Sequence, residues 1–187
     1  MPFLQDEQIH AMGFRYLGKN VRISDKASIY NPSKISIDDH ARIDDFCILS
    51  AGEGGITIGK YVHIGCYSSL IGEGSIILED FSGISGRVSI YSSNDDYSGD
   101  YMAHPTVPEE YRHVEHGNVI LRKHAIIGAG AIILPNCEIG MGAVVGALSF
   151  VKENCQEFGV YAGCPAKRIK WRERKLLELE SKLRNGK

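Results

Sequence analysis

The sequence predicts an all-β fold: a triangular prism of stacked parallel coils, broken once by a long loop and closed at its ends by short helices. Three observations carry this reading. From Leu121 an aliphatic residue recurs every six positions, at Leu121, Ile127, Ile133, Ile139, Val145 and Val151. Four places after each stands a small residue: Ala125, Ala131, Cys137, Ala143, Ser149 and Cys155. The period fails over one long stretch, between Ile90 and Leu121.

The first half repeats the pattern less cleanly, through Ile23, Ile29, Ile37, Ile43 and Leu49, then Ile58, Ile64, Leu70, Leu78, Ile84 and Ile90. Its longer steps contain turn residues such as Asn31-Pro32 and Gly52-Glu53-Gly54-Gly55, which suit bulged corners. A short strand sends one aliphatic inward and its neighbours outward. The small residue then lets the chain turn tightly, and three faces close a coil. Only stacking buries the aliphatic column, so each coil depends on its neighbours. An ordinary sandwich has no reason to hold period six. Seventeen hexads, three per coil, give between five and six coils.

The elements follow in order within one domain of 187 residues. Residues 1–20 form an N-terminal cap with a short helix over Asp6–Met12, because repeat stacks need their open ends covered. Residues 21–165 form the prism, with residues 94–117 inserted as a loop. Residues 166–187 lack an early Gly or Pro and carry Ile169, Leu176, Leu179 and Leu183 on one helical stripe, which predicts a C-terminal helix packed on a coil or on a neighbouring subunit.

Composition excludes other classes. A balance of 21 Lys+Arg against 23 Asp+Glu, net −2, lacks the basic stripe of a nucleic-acid binder. No apolar run approaches the ~20 residues of a membrane-spanning helix. The N-terminus mixes acids into MPFLQDEQIHAMGF, unlike a secretion signal, so a cytoplasmic location is expected. The 5 cysteines are scattered without CxxC, and Cys47, Cys137 and Cys155 fall at the small position, where packing explains them.

The hexads, the interrupting loop and the closing segment Tyr161-Ala162-Gly163-Cys164-Pro165-Ala166-Lys167 resemble the hexapeptide-repeat acyltransferases, over roughly residues 21–171. The nearest likeness is to bacterial sugar O- and N-acetyltransferases of the galactoside and maltose type. The resemblance implies a left-handed parallel β-helix, a homotrimer with active sites between subunits, and acetyl-CoA as co-substrate. It also implies transfer of the acetyl group to a hydroxyl or amine of a sugar, such as a nucleotide-linked amino sugar or a surface-polysaccharide precursor.

Direct acyl transfer needs a base, oxyanion donors and a held thioester. Imidazole suits the base role, its ordinary pKa of about 6.5 lying near working pH. His104 is the first candidate, since the resembled enzymes carry their base at a His-Pro step of this loop, here His104-Pro105. His63, on the outward side of its hexad, is the second. Asn94, Asp95, Asp96 and Tyr97 offer hydrogen-bond acceptors and a stacking ring for a sugar. The resemblance implies that the pantetheine arm of coenzyme A runs past Gly128, Ala129, Gly146 and Ala147. Lys152, Lys167 and Arg168 offer cations for its phosphates. No metal is expected. Two other readings stay open: a zinc hydratase of the γ-carbonic-anhydrase type on the same prism, and a solenoid that binds without catalysing.

Overall fold

The computed structural model describes residues 2–186. The chain winds as a left-handed parallel solenoid of about seven turns. Its three faces are sheets of six, eight and six strands. The first face runs from Tyr16–Leu17 through Ile35–Ile37, Ile56–Ile58, Ile76–Leu78 and Val119–Leu121 to Cys137–Ile139. The second runs from Arg22–Ile23 through Arg42–Ile43, His63–Ile64, Gly83–Ile84, Ile126–Ile127 and Val144–Val145 to Gly159–Ala162. The third begins at Ser28–Tyr30 and ends at Phe150–Val151.

Coils stack in register, with Ile43 beside Ile64, Ile64 beside Ile84, Ile84 beside Ile127 and Ile127 beside Val145. The predicted aliphatics therefore form continuous buried columns, and full burial of each such side chain contributes about 1.5–3 kcal/mol. The solenoid starts earlier than residue 21. Tyr16–Leu17 already pairs with Ser36–Ile37, adding a face that the sequence assigned to the cap. One isolated anchor, Leu17, carries too little periodicity to announce a strand.

The corners also differ from the expectation. The small residue, such as Ala41, Val62 or Ala125, points inward and is buried. The corner itself is the residue before it, in left-handed conformation: His40, Tyr61, Phe81 and His124 have φ of 61°, 58°, 58° and 61°. That conformation is unfavourable for aromatic residues. Here successive corners support one another, Tyr61 donating its N–H to Asp39 and Phe81 to Lys60. Their rings stack in one ladder at 4.7, 5.0 and 5.2 Å. Burial pushes the inward thiols of Cys47 and Cys137 up to about 11 and that of Cys155 to about 12, as fits packing groups.

Helix α1 (Asp6–Ala11) caps the N-terminal end. Gln5 and Gln8 cap it reciprocally, and Ile9 is buried against the first coil. At the other end the long predicted helix divides. Lys167–Trp171 is a strand antiparallel to Gly159–Ala162, and only Leu176–Arg184 is helical, here α2. The open edge of the second face captures KRIKW by backbone pairing, which overrides its helical propensity. The anticipated leucine stripe is not what holds α2: Ile169, Leu179 and Leu183 are exposed, whereas Glu180 is buried. Among the described residues no helix is long and apolar enough to cross a membrane.

The inserted loop is a two-stranded ribbon at its base. Ser93–Asp95 pairs antiparallel with Val114–His116, in the register Ser93 with His116 and Asp95 with Val114.

Candidate active site

The outward positions of the second face form one column: Arg22, Arg42, His63, Gly83, Ile126, Val144 and Val160. It is cationic toward the N-terminal end and aliphatic toward the other. Gly83 leaves a notch between them. A Cβ there would meet only the His63 carbonyl oxygen, at 3.5 Å. Beside the notch lies a recess of about 530 Å³, lined by His63, Cys66, Ser85, Gly86 and Ile126 among others. His63 Nε2 lies 2.8 Å from Asp44 Oδ2, and the other Asp44 oxygen accepts a hydrogen bond from Arg42 Nε at 2.7 Å. Asp44 is buried while the imidazole is half exposed, so the carboxylate fixes the ring and leaves its other side open.

The recess continues along the edge between the second and third faces. Gly86 accepts from the Gly130 N–H at 3.0 Å, and Ala129 from the Leu148 N–H at 2.9 Å. The edge therefore stacks Gly86, Ala129 and Ala147, bringing Gly128, Ala129, Gly146 and Ala147 together. Gly128 is required by the fold itself, since a Cβ there would lie 2.5 Å from the Ala147 nitrogen. Lys152 and Lys167 meet around a small cavity of about 100 Å³. Arg168 lies 4.0 Å over the Trp171 ring and also reaches Gln156.

His104, in the loop beyond the ribbon, lies with its Nδ1 3.9 Å from Asp95 Oδ2 at the ribbon's end. His104 has φ of 79° and a side chain 77% exposed. Asn94 and Asp95 occupy adjacent ribbon positions and so present to opposite sides. Asp96 is engaged in shaping the loop: it accepts from the Ser98 hydroxyl and from the N–H groups of Gly99 and Tyr101, which lower its pKa. Tyr97 is almost fully exposed. His63 and His104 share no hydrogen bond within the described residues.

Several site residues were not visible in the sequence. Asp44 stands 19 residues before its partner His63. That separation becomes meaningful only once the coil length is known. Arg112 lines a cavity of about 560 Å³ between the ribbon and the third face, together with His113 and His116. Its Nε is buried without a hydrogen-bond partner among the described residues. Within the described residues of one chain, no three His, Cys, Asp or Glu side chains converge as a metal-ligand set.

A stacked hexad prism, a ribbon carrying a histidine and a small-residue edge beside a second histidine define the class of the hexapeptide-repeat transferases. Residues 118–153 match the family described as bacterial transferase hexapeptide (six repeats). An Escherichia coli dTDP-4-amino-4,6-dideoxy-D-glucose acyltransferase is 55% identical over 181 residues, covering 97% of this chain and 94% of the relative. This chain belongs to the hexapeptide-repeat acyltransferase family. The solved structure of AntD, an N-acyltransferase from Bacillus cereus in complex with dTDP and 3-hydroxybutyryl-CoA, matches with a TM-score of 0.92 and 47% identity, over 98% of this chain and 97% of that one. A maltose O-acetyltransferase from Clostridium difficile 630 shares the fold at a TM-score of 0.62 and 20% identity, over 91% of this chain and 79% of that one.

Proposed function

We propose that this chain transfers an acyl group from an acyl-CoA to the amino group of a dTDP-linked amino-deoxy sugar. The observation that carries the reading is end-to-end likeness: the Escherichia coli acyltransferase aligns over 97% of the chain, ribbon and small-residue edge included. The amine as nucleophile follows from that likeness and from the N-acyltransferase AntD. Acetyl-CoA is the donor first expected. A hydroxyacyl donor is the second reading, favoured by the 3-hydroxybutyryl-CoA bound to AntD.

In the proposed step the amine lone pair attacks the thioester carbonyl carbon. A C–N bond forms, the C–S bond breaks and coenzyme A leaves as thiolate. His104 takes the proton from the attacking nitrogen, and Asp95, 3.9 Å away, supports the resulting imidazolium. His63 is the alternative base, favoured by its 2.8 Å contact with Asp44. The pantetheine arm lies along the edge formed by Gly128, Ala129, Gly146 and Ala147, with Lys152, Lys167 and Arg168 toward the phosphates. Asn94, Asp95 and Tyr97 meet the sugar, and Asp96 keeps the loop in shape for them. The working unit is a homotrimer with the acyl group passed in the groove between prisms. The enzyme works in the cytoplasm on a precursor of a surface polysaccharide.

The test is thiol release from acetyl-CoA and longer acyl-CoAs with dTDP-4-amino-4,6-dideoxyglucose, against maltose and a free amino sugar. Release dependent on the dTDP-linked amine supports the reading. Release only with unlinked sugars, or none with any acceptor, overturns it.

A further inference from the structure

We infer that the C-terminal end of the prism docks on an anionic lipid surface, through Ile169, Lys170, Trp171, Arg174 and Lys175. The inference does not depend on the acyl-transfer reading. Its first ground is the distribution of charge. Residues 151–175 carry seven Lys and Arg against the three acids Glu153, Glu157 and Glu173. The whole chain is net −2, so this end is net +4 and everything else net −6. On the flanks of the prism Lys26, Lys34, Lys60, Arg122 and Lys123 each pair with a carboxylate. Among the described residues Lys170, Arg174 and Lys175 pair with none. Their charge is therefore open to an anionic partner.

The second ground is apolar. Every residue of Lys167–Trp171 is exposed, Ile169 at 64% and Trp171 at 58%. This strand ends the eight-stranded sheet, with no strand beyond it among the described residues. The register shifts between Val160 and Tyr161, which leaves Ile169 out of the ladder as a bulge. Arg172 donates to the carbonyl oxygens of His124 and Gly142, so the exposed strand sits on a fixed support. Charge alone would suffice to keep such an edge from pairing with another chain. An exposed Ile and Trp work against that purpose. Beside lysines they suit a bilayer, where Trp rests at the headgroup level and cations meet anionic lipids. A nucleic acid fits less well. Arg168 lies 4.0 Å over the Trp171 ring and covers a face on which a base would stack. Ile169 has nothing to offer a phosphodiester chain. Lys167 and Arg168 remain for coenzyme A.

Trp171 is the one Trp of the sequence, so tryptophan fluorescence reports on this surface alone. The full-length protein is mixed with vesicles of phosphatidylcholine, and with vesicles of phosphatidylcholine and phosphatidylglycerol. The expected result is that only the anionic vesicles sediment the protein and shift Trp171 emission to the blue. Added salt should reverse both effects. Lys170→Gln combined with Lys175→Gln should weaken partition by about thirtyfold, the worth of two cations at an anionic surface. Ile169→Ser should weaken it by about fivefold, as an apolar contact with the headgroup region is lost. Both variants should keep the wild-type Tm and the wild-type rate of transfer in solution. No sedimentation with anionic vesicles, equal binding to both kinds, or undiminished binding of the double variant would overturn the surface. So would a Trp171 shift produced by single-stranded RNA and not by vesicles, which would make this end a nucleic-acid site.

Discussion

Glu180 of α2 lies with one carboxylate oxygen 2.7 Å from His124 Nε2, at the last ring of the corner ladder. The other oxygen meets Lys123 at 2.5 Å and Arg184 at 2.6 Å. The C-terminal helix is thus tied to the prism by one buried acid. Burial alone would raise the Glu180 carboxyl, but hydrogen bonds from Lys123, His124 and Arg184 outweigh it and bring the pKa down to about 2. An acid depressed in the folded state adds stability above its unfolded pKa, and that contribution is lost as pH falls toward the folded value. Wild type should therefore melt above Glu180→Gln at neutral pH, the gap closing between about pH 4.5 and 2. Thermal melts across that range check it, and a gap independent of pH would contradict the clamp.

His104→Ala should lower kcat by about two to four orders of magnitude, the usual worth of a positioned base. Coenzyme A binding, measured by calorimetry, should not change, because the ribbon is separate from the small-residue edge. Asp95→Asn should give a smaller kcat loss and move the pH–rate profile, because Asp95 Oδ2 lies 3.9 Å from His104 Nδ1, and should also raise the acceptor KM if the same carboxylate meets the sugar. A mild effect of His104→Ala beside a severe one of His63→Ala would move the base to the second face.

Two glycines should separate folding from catalysis. An added methyl at Gly128 would press on the Ala147 nitrogen at 2.5 Å. Gly128→Ala should therefore destabilise by about 1–3 kcal/mol, read from denaturant unfolding. At Gly83 the same methyl meets open space, with one contact at 3.5 Å. Gly83→Val should leave Tm unchanged, because a β-branched residue suits a strand. By filling the notch it should still reduce kcat/KM by up to about a hundredfold, the effect of displacing reacting groups. Full activity in a stable Gly83→Val protein would show that the reacting centre lies elsewhere.

The core was legible because its signal is periodic: Ile127, Ile133, Ile139 and Val145 announce their own stacking. The ladder was not, although His40, Tyr61, Phe81 and His124 all stand just before the inward small residue. Reading it requires knowing that this position turns left-handed. Asp44 and His63 likewise become neighbours only through coil stacking. Lys167–Trp171 was misassigned because its charged composition suits either a helix or an exposed edge strand. What decides is the vacant backbone of Gly159–Ala162, which is a property of the fold rather than of the segment. His104 was singled out by its His-Pro step, and only the folded loop shows Asp95 3.9 Å from it.

The prism leaves aliphatic side chains on its outer faces. Ile48, Ile126 and Ile132 are 39%, 40% and 40% exposed, and α2 presents Leu179 and Leu183 outward. Ile48 and Ile132 both lie on the third face and Ile126 on the second, so the apolar positions flank the shared edge that carries the small residues. Association around a threefold axis would bury such positions and place two prisms against each groove. A chain of 20.6 kDa should accordingly run as a trimer in light scattering coupled to size exclusion. Ile132→Asp should dissociate it and abolish transfer, because a charge facing an apolar contact costs several kcal/mol. Leu183→Asp, at the end of α2, should show whether the helix joins the same contact: a trimer that survives it assigns the helix to its own prism alone. A fully active wild-type monomer would refute the shared groove and require each prism to hold both substrates by itself.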